Sequence, residues 1–218
     1  MPQKKKKNTN QGAIFRPVHC CIGVDQSYSR TGISLAVDGK LKVVRSIDLH
    51  AIPSKTLKRR AVSEALGRAI SSALSHYPPT SIAVICERLR LFSSGAGAAP
   101  GLYTSPTIRP GVIKPASAMI AYLVDRAYNY DICVWSADTR AWKTAVLGTS
   151  RPLVEPLKGV KDPQKIRAVK FIIQQGFEKE ISLCRNHGAF YKYDDDAADS
   201  ACIALYGFTK NPLLQREY

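Results

Sequence analysis

The sequence predicts one α/β domain: a mixed five-stranded sheet whose first three strands form an antiparallel meander, with helices on both faces. Three observations lead there. Three β-rich runs follow one another across polar turns at residues 20–47, the second turn being Asp38-Gly39, a strong hairpin signal. The run Ser81 to Glu87, SIAVICE, is apolar almost throughout, as in strands buried on both faces of a parallel sheet. From there on, segments of helical period flank one further strand.

Taken in order, strand Cys20–Val24 ends at Asp25, and the polar turn Gln26 to Arg30 leads into strand Thr31–Val37. After Asp38-Gly39 comes strand Leu41–Ile47. Pro53 and Ser54 introduce a helix from about Leu57 to His76, with Leu57, Ala61, Ala65, Leu66, Ala69, Ile70 and Leu74 on its apolar face. Lys55, Lys58, Arg59 and Arg60 crowd its start, where cations oppose the helix dipole. A nearby anion or a solvated face accounts for that. Pro78-Pro79 stop the helix, and strand 81–87 follows, ending in Glu87.

Residues 88–114 read as a long loop, rich in Gly and Pro, with Arg88, Arg90, Arg109 and Lys114 as cations and Phe92 and Tyr103 as aromatics. Loops of this length are functional or disordered, and its aromatics stack on bases or pin the loop to the core. Pro115 opens a helix to Tyr128. Met119, Ile120, Leu123 and Ala127 form one face, and Ala118, Ala121, Tyr122 and Asp125 form another that invites a second helix or a second subunit. Strand Ile132–Ser136 follows. Asp138 or Thr139 caps a short helix carrying Arg140 and Lys143, which Gly148 ends. After a basic loop, a helix at Gln164–Gln175 bears Lys165, Arg167 and Lys170. The stretch Tyr191 to Phe208 leads through Asp194, Asp195 and Asp196 into a helix with Ala198, Ala201, Cys202 and Leu205 on its core face. Asp196 and Asp199 are three apart and share a face, and Asp195 and Asp199, four apart, do so equally. Acids at a helix start also stabilise it through its dipole, which explains Asp194 to Asp196 better than Asp199.

Charge narrows the partners. Lys+Arg total 32 against 17 Asp+Glu, net +15, with pI near 9.7. Such a balance points to a polyanion, nucleic acid first. Residues 1–17, with Lys4, Lys5, Lys6, Lys7 and Arg16, read as a disordered basic arm, and residues 18–218 as one domain. No apolar run reaches a membrane-spanning length, so no membrane partner is expected. The six cysteines include no CxxC pair, which argues against zinc. Several lie in apolar runs, as free thiols do in a reducing compartment. That suits an intracellular site: bacterial cytoplasm, or the nucleus or a virus factory in a eukaryotic host.

Acids at the ends of two buried strands, and a pair on a late helix, form the chemical constellation. If strands one and four are neighbours, Asp25 and Glu87 lie across a spacing of about 4.8 Å, and Asp196 and Asp199 can close over the same edge. Carboxylates this close do not all ionise without a cation. Oxygen ligands select hard ions, Mg²⁺ or Mn²⁺. Two such ions about 3.5–4 Å apart hold the attacking and leaving oxygens of a phosphodiester in line.

Here the residues carry a resemblance. IGVDQSYSRTG at 22–32, AVICERL at 83–89 and DAADSACIAL at 196–205 resemble the two acidic strands and closing motif of RuvC-type Holliday junction resolvases, of the RNase H-like superfamily, in a phage or viral version. The resemblance spans about residues 20 to 208. It implies an RNase H-like fold and a metal-dependent endonuclease that resolves four-way DNA junctions by paired hydrolysis, in recombination or phage genome processing. Asp25, Glu87, Asp196 and Asp199 would be catalytic and would hold two Mg²⁺ or Mn²⁺ ions. WSADTRAWKTAVLG and DPQKIRAV resemble a stretch with catalytically important lysines, falling on Lys143 and Lys165. The DNA contacts would be Arg30, Lys58, Arg59, Arg60, Arg88, Arg90, Phe92, Arg109, Lys114, Arg140, Lys143 and Lys165. The working unit would be a homodimer, with the helix from Pro115 as candidate interface. Gln26-Ser27 departs from the family's Pro-Gly in the first turn, and Phe92 is the positional match to its base-stacking aromatic. Rival expectations are a broader nuclease on branched DNA or RNA/DNA hybrids, and a non-catalytic junction-binding protein with a degenerate nuclease fold.

Overall fold

The computed structural model describes residues 18–88, 110–153, 155–160, 162–184, 191–210 and 212–217. The expected basic arm and the candidates Arg90, Phe92 and Arg109 lie outside these residues, as does the side chain of Lys114.

The chain runs β1 (Cys20–Asp25), β2 (Arg30–Val37), β3 (Lys40–Asp48), α1 (Lys55–Leu74), β4 (Ile82–Glu87), α2 (Pro110–Tyr128), β5 (Val134–Ala137), α3 (Thr139–Leu147), α4 (Pro163–Gln174), β6 (Ser182–Cys184), β7 (Tyr191–Tyr193), α5 (Asp195–Tyr206) and β8 (Leu214–Glu217). The main sheet has the order β3-β2-β1-β4-β5-β8. Among the described residues it therefore has six strands, not five. The added edge strand, β8, pairs antiparallel with β5, Val134 opposite Glu217. Its sequence LQRE has neither apolar alternation nor β-branched residues, so pairing with β5 defines it rather than propensity. The small β6–β7 pair was likewise not expected.

The antiparallel meander is as expected. Asp38 and Gly39 take φ of 47° and 75°, the left-handed pair that a tight two-residue hairpin needs, and Val37 faces Lys40. Strand β4 lies parallel to β1, with Val24 opposite Cys86, and β5 lies parallel to β4. Strands β1, β3, β4 and β5 thus share one direction, and their C-terminal ends share one edge.

The pleat of β1 sends alternate residues to two cores. Cys20, Ile22 and Val24 pack with α1 and α2 through Leu66, Ile70, Met119 and Leu123. Cys21 packs with Ile85, Trp142, Ile172 and the small residues of α5. Helices therefore cover both faces. Helix α2 begins at Pro110, five residues before the expected start at Pro115. Its second face meets α1: the Arg59 guanidinium lies 5.4 Å over the Tyr122 ring, and Arg126 Nε donates to the Ser63 carbonyl. No helix among the described residues is long and apolar enough to cross a membrane.

Helix α5 sits unusually close to the sheet. A Cβ on Gly23 would lie 2.1 Å from the Ser200 carbonyl oxygen, and one on Gly32 2.0 Å from that of Asp196. Only glycine at both positions allows the approach. The buried Ser34 and Ser200 hydroxyls bond across the contact at 2.7 Å.

Candidate active site

The shared sheet edge collects the acids. Asp25 follows the Val24–Cys86 pair at the end of β1, beside Glu87 at the end of β4. Helix α5 brings Asp196 and Asp199 over the same edge. Its cap is Asp194, whose side chain accepts from Ala197 N–H at 3.0 Å. Asp194 also accepts from Arg30 Nη1 at 3.2 Å and from the Ser46 hydroxyl. Arg30 meanwhile bonds Asp48 at 2.7 Å. Arg30 and Asp194 thus tie β2, β3 and the start of α5 together.

Lys165, in the first turn of α4, lies among the acids. Its ammonium is 2.6 Å from Asp199 Oδ2, 3.7 Å from Asp25 Oδ2 and 3.9 Å from Asp196 Oδ1. A cation in a first helical turn opposes the dipole, and three carboxylates offset it here. Burial pulls the Lys165 ammonium down, but Asp199 and Asp25 outweigh it and hold its pKa well above the ordinary lysine value. Burial pushes Asp25 well above the carboxylate range; Lys165 opposes the rise, and Glu87, Asp199 and Asp196 add to it. Burial likewise lifts Asp196 to about 6, against Lys165 and with Asp195 and Asp194. Asp196, rather than Asp195, ion-pairs with the lysine that Asp25 and Asp199 share.

Glu87 is held from two sides. Trp142 Nε1, on fully buried α3 indole, donates to Oε1 at 3.4 Å, and Gln26 Nε2 donates to the Glu87 carbonyl at 2.6 Å. Neither residue stood out in sequence. The only signal was Gln26 in a turn where Pro-Gly was expected. Lys143 is buried, donates to the Gln164 carbonyl at 3.3 Å and lies 5.2 Å over the Trp142 ring. It braces α3 against the turn carrying Lys165, and forms no ion pair with the four acids among the described residues.

The donor set fits a hard divalent cation. It is all carboxylate, and Asp199 Oδ1 is buried without a hydrogen-bond partner among the described residues, a costly state for an acceptor unless something else coordinates it. Asp194, Asp195 and Asp196 also bring one oxygen each within 4.8 Å of one another and could hold an ion. Asp194, however, is already engaged by Arg30, Ser46 and the α5 cap.

Of the remaining basic candidates, Lys58, Arg88 and Arg140 lie on segments that reach or leave this edge. Lys58 Nζ donates to the Tyr28 carbonyl at 2.8 Å, which ties the start of α1 to the β1–β2 turn that follows Asp25. Arg59 covers Tyr122, and Arg60 pairs with Glu64 at 2.8 Å. Arg88 Nε reaches the Ser136 hydroxyl at 3.5 Å. Arg140 is exposed at the start of α3.

No protein-family model matches the sequence, and no curated protein matches it. Solved structures do. The Thermus thermophilus RuvC structure aligns with a TM-score of 0.52 at 13% identity, covering 89% of this chain and 99% of that one. T. thermophilus RuvC in complex with Holliday junction substrate aligns at 0.53 and 14%, with the same coverage. At this identity the likeness speaks to architecture: the chain has a RuvC-like fold of the RNase H-like type.

Proposed function

We propose that this protein is a divalent-metal-dependent endonuclease that cleaves branched DNA, four-way junctions foremost. The observation that carries the reading is the convergence of Asp25, Glu87, Asp196 and Asp199 on one sheet edge, with an unpartnered buried oxygen on Asp199. The RuvC-like fold and the net charge of +15 support it. These four carboxylates would hold Mg²⁺ or Mn²⁺, which when bound supplies an activated water and a Lewis acid at the scissile phosphate.

The chain's own residues supply the rest. Trp142 and Gln26 fix Glu87, and Arg30 with Asp194 fixes the α5 turn that carries Asp196. Among the described residues Lys165 is the cation nearest these acids, suited to offset charge that develops on the phosphate. Lys58, Arg88 and Arg140 on segments by the edge, with Arg59 and Arg60 on α1, suit backbone phosphates, which set affinity more than sequence preference. A four-way junction offers two opposed strands to nick, so resolution needs two copies of the site, and a homodimer meets that need.

The test is cleavage of labelled substrates in Mg²⁺, in Mn²⁺ and in chelator, comparing a four-way junction, a flap, a linear duplex and an RNA–DNA hybrid. Metal-dependent, paired nicks on the junction are expected. Equal cleavage of every branched form would broaden the substrate to branched DNA in general. Tight junction binding without cleavage in either metal would make this a binding protein on a nuclease fold.

A further inference from the structure

The position of Lys165 has a consequence beyond its charge. Its ammonium bonds Asp199 Oδ2 and lies within 4 Å of Asp25 and Asp196, among the carboxylates through which a cation would be held. It comes from α4, whereas the acids come from β1 and α5, so its withdrawal breaks no contact within either acid-bearing element. Asp199 is divided between two demands: Oδ2 is taken by Lys165, and Oδ1 is buried and unpartnered among the described residues.

We infer that Lys165 is a displaceable internal counter-ion that competes with the divalent metal for Asp25, Asp196 and Asp199, and so keeps the DNA-free protein metal-poor. This rests on the carboxylates being a metal site, as proposed above. Two cations at such separations repel, and the lysine must retract before a divalent ion can be held by all three acids. The apparent metal affinity is then the intrinsic affinity reduced by the small fraction of molecules in which Lys165 is already withdrawn. A DNA phosphate entering the site offers the ammonium another anion. Metal loading and DNA binding would thereby become coupled through one side chain, in both directions.

The readout is Mn²⁺ binding to the DNA-free protein by titration calorimetry, for wild type, Lys165→Met, Lys165→Arg and Asp199→Asn. Lys165→Met keeps the aliphatic stem and removes the charge. It is expected to bind Mn²⁺ about ten-fold more tightly than wild type or better, and to gain more thermal stability from Mn²⁺ than wild type does. Lys165→Arg should bind as weakly as wild type. Should Lys165→Met fail to fold on its own, as its melting curve would reveal, Lys165→Gln takes its place. If the neutral variant binds no tighter than wild type while Asp199→Asn loses binding, the counter-ion role is wrong and the metal site stands. The same holds if Lys165→Arg binds as tightly as Lys165→Met. If none of the proteins binds Mn²⁺, the metal-site reading fails and the inference with it.

Discussion

Asp196 and Glu87 stand in one crowded carboxylate site with different neighbours. Asp196 is lifted to about 6 chiefly by burial. Its folded pKa exceeds the ordinary aspartate value of 3.8, so the folded state binds the proton more readily than the unfolded state between those values. The associated stability is fully present below the ordinary value and is lost as pH rises through the folded one. In chelator, wild type should therefore lose stability relative to Asp196→Asn between about pH 4 and pH 7, by up to about 3 kcal/mol. Melting the two proteins side by side across that range checks it, and added Mn²⁺ should narrow the gap. Glu87 accepts a hydrogen bond from the Trp142 indole at 3.4 Å. Trp142→Phe keeps an aromatic in the core and removes that N–H. Cleavage should fall about ten-fold or more, as when an outer-shell partner of a metal ligand is lost. A folded far-ultraviolet spectrum would distinguish this from collapse of the core.

At the level of elements, the site depends on how closely α5 lies on β1 and β2. Gly23 and Gly32 admit the helix backbone to distances a Cβ would forbid, and this brings Asp199 within reach of the lysine that also faces Asp25. Gly23→Ala must push α5 off the sheet. A cost of about 2–3 kcal/mol or more is expected, readable as a lowered denaturation midpoint. The sequence made some of these elements plain and hid others, for physical reasons. Asp38-Gly39 and the runs around it are local signals, so β1 to β3 were readable. The acidic ends of β1 and β4 were readable too, because a carboxylate after an apolar run is conspicuous. Strand β8 was not, because an edge strand of polar residues forms only when β5 offers its ladder. The start of α2 at Pro110 is hidden because Pro110 and Gly111 read as loop, although proline suits a helix's first turn. The meeting of Lys165 with three acids joins segments far apart in the chain, and no residue spacing encodes its distances. The second face of α2 was open to a helix or a subunit; α1 takes part of it.

For the whole molecule, the decisive feature is an acidic centre in a basic body. The net charge of +15 would draw a polyanion such as DNA to the protein, while four carboxylates at the sheet edge would repel its phosphates unless a cation intervenes. Binding to any junction should accordingly be steeply salt-dependent. For six or more phosphate contacts, affinity should fall by about 10³-fold or more between roughly 50 and 200 mM salt, which a fluorescence titration at several salt concentrations would reveal. A flat salt response would mean that the basic residues around the edge are not the DNA interface. The most direct test is single-turnover cleavage of a labelled four-way junction by wild type and Asp25→Asn, with binding measured in parallel. Wild type should cut only with Mg²⁺ or Mn²⁺. Asp25→Asn should bind the junction at least as well, through relief of repulsion with the phosphate, and cut it about 10²-fold more slowly or worse. Cleavage by Asp25→Asn at the wild-type rate, or by wild type in chelator, would contradict the metal-site reading.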